Sequence, residues 1–453
     1  MFRNIFNTFA NCFKIPELKS RILFTIFILA VCRLMAYVPV PGLNFEALVQ
    51  YKESNSGSLG LFSMFSGGAR ENCAIGALTI MPYISATIII QLLTAVWPRL
   101  SKLAREENGR VQIIKYSRYL TVVLCLGWGL AQAISWEHPS GALAGMTKQL
   151  VMNDTIWWKI QTVLLLTTGT MLLLWLGEQI TERGIGNGVS LVITINILSR
   201  LPQAAQGAHD MFVSVGGVEA KYNIGHAVAL LLLLAGVIAG CIAITQAQRK
   251  IPVQYAQRAV GRKMYQGGTS FMPLRVNYAG VMPVIFASSI LMFPQQIFSA
   301  IGSSYKMPFL IRLGSALNTG TIWYLVFYSM MVLFFSYFWV ATQFNELQIA
   351  DDLKKNGGYI PGVRPGQATS DYLHNTMSRI TLAGAVFLTA IAVIPIILFR
   401  IMNLSQDLTQ FFGGTSMLIT VGVLLDTMRQ MESHLMMRHY DGFLKKGRIR
   451  GRL

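Results

Sequence analysis

The segment Glu178-Gln-Ile-Thr-Glu-Arg-Gly-Ile-Gly-Asn-Gly188 sets three glycines in a Gly-x-Gly-x-Gly spacing, a pattern that elsewhere cradles phosphate. A nucleotide site of that kind needs a strand before the glycines and a P-loop lysine after them; neither is present, and no Walker A motif occurs anywhere in the chain. A tight glycine turn re-entering a membrane is the better reading. Cys12, Cys32, Cys73, Cys125 and Cys241 are scattered without a CxxC pair, which makes them small apolar fillers rather than metal ligands or disulfides. The six histidines are equally dispersed. The residue types that do chemistry therefore point to no catalytic residue, no metal and no cofactor, and to a protein that is not an enzyme.

The elements that would position these residues are membrane spans. Of 453 residues, 53% are hydrophobic and 13% charged, and the mean hydropathy is +0.48, the composition of a polytopic helical membrane protein. Ten apolar stretches are predicted at about 21–38, 74–97, 117–136, 157–177, 188–202, 224–246, 276–300, 320–343, 379–400 and 414–430. The first resembles a signal peptide, but its length and lack of a small-residue cleavage site make it a retained span. The interiors of the ten are read as free of Asp and Glu, which argues against ion-coupled transport, because intramembrane carboxylates persist where they carry protons or ions. With these spans, 28 of the 38 Lys and Arg residues fall at the N-terminus, in even-numbered loops and in the tail, and nine in odd-numbered loops. Both termini are then expected in the cytoplasm. Arg33 alone sits inside the first span.

Two even-numbered loops exceed what topology requires. The loop at about 246–275 carries Arg249, Lys250, Arg258, Arg262, Lys263 and Arg275 without an acidic residue. The loop at about 345–378 carries Gly357, Gly358, Pro361, Gly362, Pro365 and Gly366. Ordered loops of this size suggest docking structures; flexible basic linkers beside anionic lipid are the plainer alternative. On the opposite side, Leu59–Gly68 is apolar but about half a span long, so it must lie on the surface, re-enter or fill a cavity. A surface helix is favoured on physical grounds alone, with Gly67 and Gly68 permitting a bend. In the second stretch, Ile80 and Ile84 share a helical face across Pro82. There Thr79, Ser85, Thr87 and Gln91 are available to satisfy backbone groups that the proline frees.

Six motifs spread over the chain resemble the SecY family of protein-conducting channels: FSMFSGGA (Phe62–Ala69), IMPYISA (Ile80–Ala86) with IIIQLL (Ile88–Leu93), WLGEQITERGIGNG (Trp175–Gly188), FASSI (Phe286–Ile290), PGVRPG (Pro361–Gly366) and FGGTS (Phe412–Ser416). The resemblance covers essentially the whole chain. It implies an all-α channel of ten transmembrane helices in two inverted halves of five: residues 1–202, residues 203–430 and then a basic cytoplasmic tail at 431–453. It implies an apolar pore ring of Ile80, Ile84, Val189, Ile193, Met282, Ile285 and Ile419, of which Val189 and Met282 depart from the usual isoleucine. A narrow ring of this kind resists wetting and blocks ions, yet yields around a polypeptide without binding it.

The same resemblance turns the short helix at about 59–70 into a plug, with Leu61, Phe62, Met64, Phe65, Gly67 and Gly68, and so displaces the surface-helix reading. It implies a lateral gate between helices 2–3 and 7–8 at Gln91, Asn277 and Phe293, closed by weak interhelical hydrogen bonds. It implies docking of the ribosome and of the motor ATPase SecA at Arg249, Lys250, Arg262, Lys263 and Arg364. Small SecE- and SecG-type subunits, signal peptides, nascent chains and lipid are the further partners implied, and the bacterial inner membrane the location. Asn345-Glu replaces the usual Asn-Pro at the start of the second docking loop, which leaves its local geometry open. A secondary solute transporter is the alternative; it would share inverted repeats but needs a polar midplane pocket that the apolar stretches do not supply.

Overall fold

The computed structural model describes residues 15–49, 64–106, 109–137, 150–152, 155–212, 224–255, 258–260, 263–265, 268–304, 307–318, 321–401 and 414–446. Leu61, Phe62 and Arg262 lie outside these residues, as does the tail beyond 446. The chain is mostly helical. Its helices are α1 Pro16–Leu34, α2 Met81–Val96, α3 Pro98–Arg105, α4 Gly109–Glu137, α5 Ile156–Arg183, α6 Gly188–Leu198 and α7 Leu201–Phe212. They continue with α8 Ile224–Gln246, α9 Met282–Ser304, α10 Pro308–Ala316, α11 Ile322–Gln343, α12 Glu346–Lys355, α13 Gln367–Ile401 and α14 Gly414–Lys446. Among the described residues, five helical stretches are long and apolar enough to cross a membrane: Val111–Glu137, Ile156–Arg183, Gly225–Gln246, Ile322–Lys355 and Gln367–Leu398. Met81–Val96 and Pro98–Ala104 meet at a bend of 104° and make a sixth if the pair is one span. Each of the ten apolar stretches overlaps one of the fourteen helices, and position 202 falls in the first turn of α7.

Three expectations change. The second stretch is not helical from 74: turns run from 67 to 80, and α2 starts at Met81 with Pro82 in its first turn. The proline there breaks no ladder, because the first amides of a helix have no intrahelical acceptor. Ile84 N still bonds Ile80 O at 3.1 Å. Second, the apolar stretch 414–430 does contain a carboxylate, Asp426, which lies 3.9 Å from Arg429 with 65% of its side chain exposed. Third, the chain expected to be all-α carries strands, in a sheet that the two large loops share. Strand β1 (Gln248–Tyr255) pairs antiparallel with β4 (Thr269–Arg275) on one side and with β5 (Gly358–Tyr359) on the other. A smaller hairpin joins β2 (Arg258–Val260) to β3 (Lys263–Tyr265).

The main core gathers side chains from α1, α2, α5, α6, α9, α11 and α14 around Ile80, Ile84, Ile193, Ile285 and Ile419. The loop sheet has its own core: Ile251 and Leu274 from the strands close on Phe344, Ile360, Leu373, Met377 and Ile380. Asn345 resolves the altered loop start, because its side chain accepts from Gln348 N at 3.2 Å and caps α12.

Candidate functional site

Seven apolar side chains expected to line a constriction converge in one cluster. Ile80, Ile84, Ile193, Ile285 and Ile419 are buried in it, and Val189 and Met282 pack against it half-buried. All lie at or within about two turns of a helix start: Ile80 and Ile84 at α2, Val189 and Ile193 at α6, Met282 and Ile285 at α9, Ile419 at α14. Residues up to 339 positions apart in sequence are thus brought to one place by four helix beginnings. The local causes are legible. Pro82 starts α2, Asn187 caps α6 by accepting from Ser190 N at 3.3 Å, and Gly414 opens α14.

The glycine turn before α6 has its amides committed to the protein. Ile185 N donates to Thr25 Oγ1 at 3.1 Å, Gly186 N to Gln430 Oε1 at 2.8 Å and Gly188 N to Thr181 Oγ1 at 2.9 Å. These bonds fasten the turn to α1, α14 and α5 and leave none of the three amides for a phosphate.

Beside the apolar cluster lies a polar layer that pattern reading did not assemble. Met64 and Phe65, at the described end of the short apolar segment, are buried in the same core, in a single helical turn over residues 64–66. Asn196 Nδ2 donates to Phe65 O at 3.1 Å, and both Nη atoms of Arg33 donate to Gly67 O at 3.2 Å. Arg33 Nη1 also reaches Asn196 Oδ1 at 3.2 Å, and its guanidinium sits 5.4 Å from the Tyr37 ring centre. Arg200 Nη2 pairs with Glu71 Oε1 at 2.6 Å, with side chains 14% and 5% exposed. Ser416 Oγ bonds Met64 Sδ at 2.9 Å. Gly67 has φ +57°, and a Cβ there would stand 2.5 Å from Arg33 Nη1. Only glycine meets both conditions, the left-handed backbone and the close approach. Buried irregular backbone of this kind is tolerated at depth because the protein satisfies it. The available signal was Arg33, an ionisable residue inside an apolar stretch and a functional candidate by default.

The expected gate residues are brought less close together. The α2 and α9 helices are in contact, but Asn277 Nδ2 turns back to Gly280 O at 2.8 Å, and Gln91 Oε1 is buried without a partner. The Phe293 side chain is outside the described residues. Among the expected docking cations, Arg249 and Lys250 are exposed on β1. Lys263 is in β3, its side chain also outside the described residues. Arg364 is exposed in the turn after β5, where its carbonyl accepts from Thr369 Oγ1 at 2.9 Å. Cys32, Cys73, Cys125 and Cys241 are buried and free, consistent with fillers; Cys12 lies outside the described residues.

A family model described as SecY matches residues 74–428. The chain is 42% identical over 98% of its length to the protein translocase subunit SecY of Chlamydia trachomatis, of which it covers 99%. It is 39% identical to the subunit of the same name from Thermotoga maritima, with 99% of this chain and 100% of that one covered. Among solved structures, a protein-conducting channel superposes with a TM-score of 0.62 at 17% identity, covering 91% of each chain. Sec61 in the canine ribosome–channel complex from the endoplasmic reticulum superposes with a TM-score of 0.58 at 16% identity, again covering 91% of each. At those identities the structures speak for the fold.

Proposed function

The chain belongs to the SecY family, and from that premise we propose that it is the central pore-forming subunit of a Sec translocase. In this reading it passes unfolded secretory chains across the membrane, releases apolar segments sideways into lipid and catalyses no covalent reaction. The observation that carries the reading is the meeting of Ile80, Ile84, Ile193, Ile285 and Ile419, from four helices, with Met64 and Phe65 packed against them. An apolar ring with an apolar stopper holds no site that would bind cargo tightly, and it excludes ions by dewetting.

Ten spans in two inverted halves are the topology this function needs, with residues 59–70 as the plug and both termini cytoplasmic in a bacterial inner membrane. The lateral gate lies where α2 meets α9, at Gln91, Asn277 and Phe293. Arg249, Lys250, Arg262, Lys263 and Arg364 are the docking cations. Positive charge there suits the ribosomal RNA backbone, and the stiff turn around Arg364 suits a motor ATPase of the SecA type. SecE- and SecG-type subunits complete the assembly; no cofactor is required, since the motor supplies the energy.

The test is electrical. The full chain with its small subunits, in a planar bilayer without cargo, should be nearly closed to ions, and Ile84→Asn should open a leak. Unchanged conductance in Ile84→Asn, together with unchanged selection between strong and weak signal sequences, would remove the ring assignment.

A further inference from the structure

We infer that the Glu71–Arg200 ion pair, supported by Arg33 and Asn196, is a latch that sets how strong a signal sequence must be to open this channel; the inference rests on the channel reading above. Arg200 follows Ile193 by seven positions, two helical turns, so the pair sits about 10 Å along from the ring. Glu71 belongs to the turns between the plug and α2, and Arg200 to the exit of α6. The pair therefore joins the mobile element of the proposed mechanism directly to the wall.

Its geometry is that of a latch rather than a surface contact. The Nη2–Oε1 distance is 2.6 Å, and the carboxylate side chain is 5% exposed. A buried pair is held hard against the loss of one partner, because the survivor remains charged and poorly solvated. The same pair loses little when both groups gain water together. Lifting the plug into an aqueous lumen would do that, hydrating Glu71 and Arg200 at once. The latch is thus firm toward partial displacement and permissive toward complete opening.

The neighbouring contacts act in the same sense. Arg33 grips the Gly67 carbonyl and Asn196 the Phe65 carbonyl, so the 65–71 segment is held at three points. A ligand shifts a two-state equilibrium only by its differential binding to the two states. A signal sequence must then overcome these three attachments before the plug leaves. Weak signals fail at this step, which makes Glu71 and Arg200 determinants of substrate stringency as well as of the seal.

A charge-swap cycle tests the inference. Glu71→Arg, Arg200→Glu and the double swap are compared with wild type in the full chain with its small subunits. The readings are resting ion conductance and export of a reporter carrying a weakened signal sequence, each normalised to the amount of protein in the membrane. Each single change should raise resting conductance at least about tenfold and admit the weak-signal reporter. The double swap should restore both toward wild type. Glu71→Gln, which keeps size and shape, gives the same reading if the reversed charges prevent accumulation, and a wild-type conductance in that variant overturns the latch. So do single changes that behave as wild type while Ile84→Asn leaks, and so does a double swap that fails to restore closure. If the wild-type channel exports no reporter and Ile84→Asn does not conduct, the channel reading itself has failed and takes the latch with it.

Discussion

Asn196 and Phe65 are separated by 131 positions and joined by a buried hydrogen bond of 3.1 Å, from Asn196 Nδ2 to the Phe65 carbonyl oxygen. The same amide group accepts from Arg33 through Oδ1 at 3.2 Å. One side chain of α6 therefore holds the short apolar segment and Arg33 of the first apolar stretch together. Replacing it with alanine leaves a buried carbonyl unsatisfied, at a cost of about 1–3 kcal/mol to the closed arrangement. With Met64→Cys and Ser416→Cys as reporters, Asn196→Ala should lower the resting disulfide-trapping rate about tenfold. An unchanged rate would mean that the bond does not position the segment.

Gly67→Ala is expected to be worse than its size suggests. The left-handed backbone costs a residue with a side chain about 1–2 kcal/mol, and the new methyl group meets Arg33 Nη1. Raised resting conductance should accompany it, and Arg33→Ala in the same chain should not restore closure, because it removes the donors to the Gly67 carbonyl along with the clash and leaves Ser199 Oγ and Asn196 O in the way. Full recovery in the double variant would show that backbone strain is absent.

Ile285→Asn places an amide among Phe286, Val284 and the other buried members of the ring cluster. A buried amide without a partner draws in water, so ions should leak and weak signals should pass. Conductance measured beside Ile285→Val separates polarity from volume, since the valine should remain sealed.

Arg364→Glu should impair motor-driven export far more than co-translational insertion of membrane proteins. The exposed side chain stands on a turn fixed by the Val363 N to Ile360 O bond of 3.1 Å and by Gly362 at φ +83°. Reversal therefore changes a contact without changing the fold. Equal loss of both activities would remove the motor-specific role.

Gly358→Val should part the two large loops. A Cβ at 358 would stand 3.0 Å from Tyr255 Cε1 and 3.3 Å from Val253 Cγ1, on the face where β1 and β5 pair. Hydrogen exchange at the amide of Gln254 should quicken, while Tyr255, whose amide donates to Gly268 O at 3.2 Å, and the pairing of β1 with β4 near Arg249 keep their protection. Uniform protection would show that β5 is not needed to order the strand.

The apolar elements were legible because lipid imposes length and composition on any helix that crosses it. Their limits were less so, because hydropathy marks where lipid begins and not where hydrogen bonding stops. The α13 helix starts at Gln367, twelve residues before its apolar stretch, and α2 starts seven residues after its own. Ring residues could be named from motif likeness, and helical spacing supported two of their pairs. The polar layer could not: Arg33, Gly67, Glu71, Asn196 and Arg200 share no local pattern, and only tertiary packing makes them neighbours. Asn277 shows the converse. Its residue type suits an interhelical bond, but a turn three residues long offers Gly280 O first. The sheet joining the two loops was hidden for a similar reason, since two residues, Gly358 and Tyr359, carry the whole of the second loop's contribution.

The α14 helix carries Ile419 in its second turn and, about 16 Å further along its axis, Gln430, which holds the Gly186 amide. Beside Gln430, Arg429 Nη2 grips Thr245 O at 2.8 Å, three residues before β1 begins. One stiff rod is therefore tied near its middle to the base of the loop sheet, with its first turns in the ring. A pull on that sheet is felt at Ile419 as a displacement of the rod, without any side chain between them needing to change partners.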